Sequence, residues 1–132
     1  MARDPGEDLK ERMRRDLRNW FATRPRRVAK HVLYRIGTGP YSETGRTRHF
    51  VQGEPAPKPS SLAIMRYELD AADGGGYTDY YLEYLDECGT QITNTYHETL
   101  DRAFEQASWE FEIPRSDWIF VDERTPVFDV RP

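Results

Sequence analysis

Between residues 62 and 121 the hydrophobic period of the chain switches from two to 3.6 and back, and this constrains the fold more than any other feature. Residues 62–69 alternate: Ala63, Met65, Tyr67 and Leu69 share one side, Arg66 and Glu68 the other. A flexible loop, Asp73-Gly74-Gly75-Gly76, leads to a second strand over residues 80–85. Asp86-Glu87-Cys88-Gly89 then reads as a tight turn with Gly89 placed for positive φ. Residues 90–96, rich in Thr and Ile, predict a third strand returning antiparallel. Thr99 is a good N-cap, and Asp101 in the first turn suits the helix dipole. Leu100, Ala103, Phe104, Ala107 and Phe111 follow, all within roughly 50° of their mean direction at 100° per residue. Pro114 closes that helix, and residues 118–121 predict a fourth strand. The expected fold is therefore α+β: a small antiparallel sheet in the order β-β-β-α-β, with one helix packed on a face.

The first half is organised differently. Residues 8–22 place Leu9, Met13, Leu17 and Trp20 at spacings of four, four and three, with Phe21 beside them, which predicts a basic amphipathic helix. Residues 27–36 are ambiguous. Val28, Ala29, Val32, Leu33 and Ile36 fit a helical stripe, while Val28, Val32, Tyr34 and Ile36 alternate as a strand; the reading leans to helix. A short strand is expected over residues 49–52. Gly53-Glu54-Pro55-Ala56-Pro57-Lys58-Pro59-Ser60-Ser61 forbids a helix and reads as an extended linker. The expected division is a basic, helical segment at 1–52, a Pro-rich linker at 53–61 and an acidic α+β domain at 62–132.

Charge follows the same division. Residues 1–60 hold 14 Lys/Arg and 7 Asp/Glu, a balance of +7, whereas residues 61–132 hold 5 Arg and 16 Asp/Glu, a balance of −11, giving the net −4. Such asymmetry implies two modules with separate roles, or two parts that dock on each other. Leu, Ile, Val and Phe together number 25 of 132 residues, so the aliphatic core is small, and 8 Tyr and 3 Trp must supply much of the buried area. No apolar run approaches the ~20 residues that span a bilayer, and the charged N-terminus lacks the apolar stretch of a signal peptide. Cys88 is the only cysteine, so no internal disulfide forms, and a reducing, cytoplasmic setting is expected.

Reactive constellations are missing where motifs would place them. His97-Glu98 is followed by Thr99, Leu100 and Asp101, so the second His of a zinc protease motif is absent; His97 is expected to bond the backbone at a strand-to-helix junction. His31 and His49 have no identifiable acid partner. Cys88 lies beside carboxylates, which disfavour its thiolate. Neither Gly37-Thr38-Gly39-Pro40 nor Gly74-Gly75-Gly76 continues into a phosphate-binding loop. No enzyme signature, metal site or cofactor is expected.

Two features remain. Arg14, Arg15, Arg18, Arg26, Arg27 and Lys30, interleaved with Trp20, Phe21 and Tyr34, form a candidate nucleic-acid-binding set; the alternative is that these cations solvate a helix and pair with the acidic half. Trp109 lies about 180° from the apolar stripe, nearly in line with Arg102 and flanked by Glu105 and Glu112. Either it is a binding hot spot, or it packs under the N-terminal helix or the C-terminal tail; in both cases something covers that helix face.

The run from Tyr81-Leu82-Glu83-Tyr84-Leu85-Asp86 through Gly89-Thr90-Gln91-Ile92-Thr93 and Tyr96-His97-Glu98-Thr99-Leu100, on to Glu110-Phe111 and Trp118, resembles a group of small acidic bacterial proteins. Some of these are similar to the immunity proteins of polymorphic toxin systems, which bind and block a cognate toxin. The resemblance covers residues 62–121 and implies a fold more than an activity. It agrees with a non-enzymatic binding module that meets a basic protein surface through Trp109, Arg102, Glu105 and Glu112, with Asp79 and Glu83 as further candidates. The alternatives are nucleic-acid association through residues 1–60, or a structural subunit of a larger assembly.

Overall fold

The computed structural model describes residues 25–127. Strand β1 (Arg27–Gly37) opens it, followed by a small hairpin of β2 (Phe50–Val51) and β3 (Glu54–Pro55). Then come β4 (Ser61–Leu69), β5 (Tyr80–Leu85), β6 (Gln91–His97), helix α1 (Leu100–Phe111) and β7 (Ile119–Pro126). The five long strands form one sheet in the order β6-β5-β4-β1-β7, every neighbour antiparallel. The α+β class is as expected, and the first three strands, the helix and the Thr99 cap of the second half fall where the pattern placed them, while the last strand, expected over 118–121, runs on to Pro126. Thr99 accepts a hydrogen bond from the Arg102 amide at 3.1 Å. At the β5–β6 turn Gly89 takes φ +79°, and Asp86 caps the amides of Cys88 and Thr90.

The sheet is not completed by the second half alone. Residues 27–36, expected as helix, are β1, which lies between β4 and β7. The physical reason is a β-bulge. Val32 and Tyr34 pair with the adjacent Met65 and Ile64 of β4, so Leu33 is an inserted residue against β4, while β7 carries an extra residue of its own between Glu123 and Phe120. Val32 therefore packs on one face, while Tyr34 and Ile36 pack on the other. An unbroken strand would keep all three on one side. The inserted residue breaks the period of two and imitates a helical stripe. Opposite the bulge, Asp122 of β7 is held at φ +47°.

The boundary drawn at 53–61 accordingly falls between strands of a single sheet. Gln52 (φ +53°) and Gly53 (φ +82°) form the tip of the β2–β3 hairpin, both in the left-handed region that such two-residue turns require. The proline run is pinned rather than hinge-like: the Ser60 amide donates to the Leu85 carbonyl at 2.8 Å, and buried Thr38 donates its hydroxyl to the Pro59 carbonyl at 2.5 Å. The expected basic helix over 8–22 lies outside the described residues.

Helix α1 packs Ala103, Phe104, Ala107 and Phe111 onto Ile36, Leu62, Ile64, Leu82 and Tyr84. Trp118 closes this core edge-on to Phe104, ring centroids 5.5 Å apart. Burying such side chains contributes about 1.5–3 kcal/mol each. The helix ends at Phe111, three residues before Pro114, whose ring prevents the helix from continuing through it. Glu112 is the C-cap in the left-handed conformation (φ +54°), and Ile113 beyond it is buried.

The sheet's second face is also apolar. Val32, Ala63, Met65 and Leu85 form a separate cluster there, each 4% exposed or less.

Candidate functional site

A helix end leaves carbonyls without intrahelical partners. At the C-terminus of α1 the Ser108 carbonyl is taken by the Glu112 amide; the next two are satisfied from outside the helix. The Thr44 hydroxyl donates to the Trp109 carbonyl at 2.7 Å, and the Thr44 amide donates to the Glu110 carbonyl at 2.7 Å. Residues 44–49 thus form a strap across the end of the helix. Its remaining side chains hold Trp109: the indole Nε1 donates to Thr47 Oγ1 at 3.1 Å, and the Arg46 guanidinium lies 4.9 Å from the ring centroid. Arg46 also pairs with Glu112 at 3.5 Å. The indole remains 51% exposed, fixed on one edge and open on the other.

Beneath the strap is a cleft of about 330 Å³, bounded by Arg48 and His49, the Pro55–Pro59 run, Thr93 of β6 and Phe111. Its inner wall is polar. His49 Nε2 meets Glu110 Oε1 at 2.6 Å, the Gln106 amide donates to the same oxygen at 3.1 Å, and the imidazole stacks against Tyr84 with centroids 4.5 Å apart. Glu110 is only 5% exposed, and among the described residues neither its Oε2 nor the Tyr84 hydroxyl has a hydrogen-bond partner. Burial, reinforced by the neighbouring Glu110 carboxylate, holds the Tyr84 phenol well above its ordinary range. A carboxylate aligned on an imidazole both fixes its tautomer and anchors the strap to the helix. No group of three His, Cys, Asp or Glu side chains is placed to hold a metal ion among the described residues.

His49 and His31 were expected to lack acid partners; both have them. His31 Nδ1 lies 4.0 Å from Asp122 Oδ1, across the β1–β7 pair. The signal for the His49 site was present in the helix: Glu110 stands three residues after Ala107 and seven after Ala103, a charge on the apolar stripe. Its partner comes from 61 residues away, beyond any local pattern. His97 meets a side chain rather than the expected backbone group, its Nε2 2.7 Å from Thr95 Oγ1, and burial lowers its pKa.

The remaining predicted residues divide between the surfaces. Trp109, Glu105, Glu112 and Arg102 are exposed on α1 or its cap, with Arg102 pairing Glu105 at 3.2 Å. Asp79 accepts a hydrogen bond from the Tyr96 hydroxyl, which raises that phenol's pKa to about 12. Glu83 is not on the surface: it is 3% exposed on the second sheet face, 2.8 Å from Lys30. That same contact occupies Lys30 of the alternative nucleic-acid set. The Arg27 guanidinium lies 4.2 Å from the Tyr67 ring centroid, Arg26 is exposed, and Arg14, Arg15 and Arg18 lie outside the described residues. Among the described residues the strap holds Trp109; the N-terminal helix and the end of the tail, named as alternative covers, lie outside them. Comparison with known proteins adds no name: no family model, no curated protein and no solved structure matches the chain.

Proposed function

We propose that the protein is a non-enzymatic protein-binding module, of inhibitor or immunity type, which presents the strapped end of α1 to a basic surface on another protein. The observation that carries this reading is Trp109, half exposed yet held at its nitrogen by Thr47 and on its face by Arg46. A large aromatic ring ordered before binding loses little entropy when a partner covers it, and Trp and Arg dominate interface hot spots. Exposed Glu105 and Glu112 rim the ring, and the surplus of acid over base in residues 61–132 favours encounter with a positive partner.

The test uses the full chain as bait in nuclease-treated lysate of the source organism, beside W109A and a control, I119A, at another exposed apolar position. A discrete basic protein is expected with the wild type and I119A, and its affinity for W109A should fall about 30-fold, the effect of losing about 2 kcal/mol at a hot spot. Equal retention by W109A overturns the proposed face. Recovery of nucleic acid alone, when nuclease is omitted, moves the function to the basic segment.

A further inference from the structure

The second face of the sheet presents a contradiction that the described residues do not resolve. Val32, Ala63, Met65 and Leu85 are almost completely buried, yet the described hydrophobic residues packed against them, Tyr67, Tyr81 and Val121, are all in the sheet itself. A sheet cannot remove its own face from water. Helix α1 packs the opposite face, on Leu62, Ile64, Leu82 and Tyr84. Glu83, nearly fully buried beside this patch and paired with half-buried Lys30, likewise requires a cover that keeps water from its carboxylate.

We propose that residues 8–22 of the same chain are that cover, laid across β1, β4 and β5 with Leu9, Met13, Leu17 and Trp20 against the apolar patch. Three observations select this occupant. Its apolar residues recur at helical spacing, and the patch they would meet is itself apolar. The segment is close in sequence to this face: it shortly precedes Arg27, whose guanidinium lies over Tyr67, one of the residues packed on the patch. The dimensions agree as well. Fifteen residues of helix extend about 22 Å, and four inter-strand steps of about 4.8 Å make the sheet about 19 Å wide. Charge acts in the same direction, because residues 1–24 carry 7 Lys/Arg against 5 Asp/Glu and approach a half of the chain with a balance of −11. The molecule is then a three-layer sandwich, and the basic segment is part of its fold rather than a free arm for nucleic acid.

The experiment compares full-length wild type with W20F. The difference between their emission spectra isolates Trp20 from Trp109 and Trp118, and acrylamide quenching of that difference reads its exposure. In samples that sediment as a single copy, blue-shifted Trp20 emission and severalfold weaker quenching than for free tryptophan are expected. A second variant, L17D, should lower Tm by several degrees and raise binding of an apolar dye. Solvent-like Trp20 emission in the monomer overturns the proposal, as does an unchanged Tm in L17D. Shielding of Trp20 only at concentrations where dimers sediment would assign the face to a second copy instead.

Discussion

The two faces of the sheet achieve the same desolvation by different means. The helix face is built from aromatics, with Phe104, Phe111 and Trp118 meeting Leu62, Ile64 and Tyr84, and the buried charge of Glu110 is tied to the strap through His49. The second face is built from smaller residues, Val32, Ala63, Met65 and Leu85, and carries the buried Lys30–Glu83 pair. On the first face the charge anchors a loop that positions the exposed Trp109. On the second it cross-links β1 to β5 across β4. A buried ion pair is therefore no mark of a functional site by itself; what it holds in place decides its role.

The comparison breaks most sharply under large-to-small substitution. Phe111→Ala should destabilise by about 3–5 kcal/mol and Met65→Ala by about 2–5 kcal/mol, both measured by urea denaturation of the full chain. A cost for Met65→Ala near that of an exposed site would show the second face to be open to water, and the two faces to be unlike after all. Next in size is Glu83→Ala, which leaves Lys30 without its partner. Because Lys30 keeps some contact with water, about 1–3 kcal/mol is expected rather than the larger cost of a fully enclosed pair. The double change Lys30→Met with Glu83→Met should recover most of that loss. Failure to recover would mean that the pair sets strand register as well as balancing charge.

The smallest effect concerns His97 at the end of β6. Burial holds its imidazole below the ordinary 6.5, with the Glu110 charge opposing that shift. Below that pH the unfolded chain takes up a proton that the folded chain refuses, so stability falls as pH drops until the folded pKa is passed. His97→Gln should remove this part of the slope in Tm against pH, leaving the carboxylate-driven part at lower pH. An unchanged slope would place the proton elsewhere.

Where the sequence was legible, its signal was local. The strands of the second half, the Thr99 cap, the Gly89 turn and the stripe of α1 each follow from residues within one or two turns of one another, and all appear in place. The exposed Trp109 was readable too, because one helix projection separates it from Phe111. The misreading of residues 27–36 has a physical origin. In β1, an inserted Leu33 changes the face of every residue after it, and only the partner strands reveal that insertion. The charge balance of the two halves raised docking as one possibility, but it did not show that β1 completes the sheet.

The sequence by itself determined the elements of the second half, the amphipathic face of α1 and the unusual position of Glu110, since these depend on period and neighbouring residues. The tertiary structure alone decided the sheet order, the burial of Glu83, and the strap that joins His49 to Glu110 and Thr47 to Trp109. Those pairings span 53 to 62 residues of chain. Contacts at such separation form only when the sheet brings its strands together, and no periodicity in the sequence records which distant side chain will complete a buried charge.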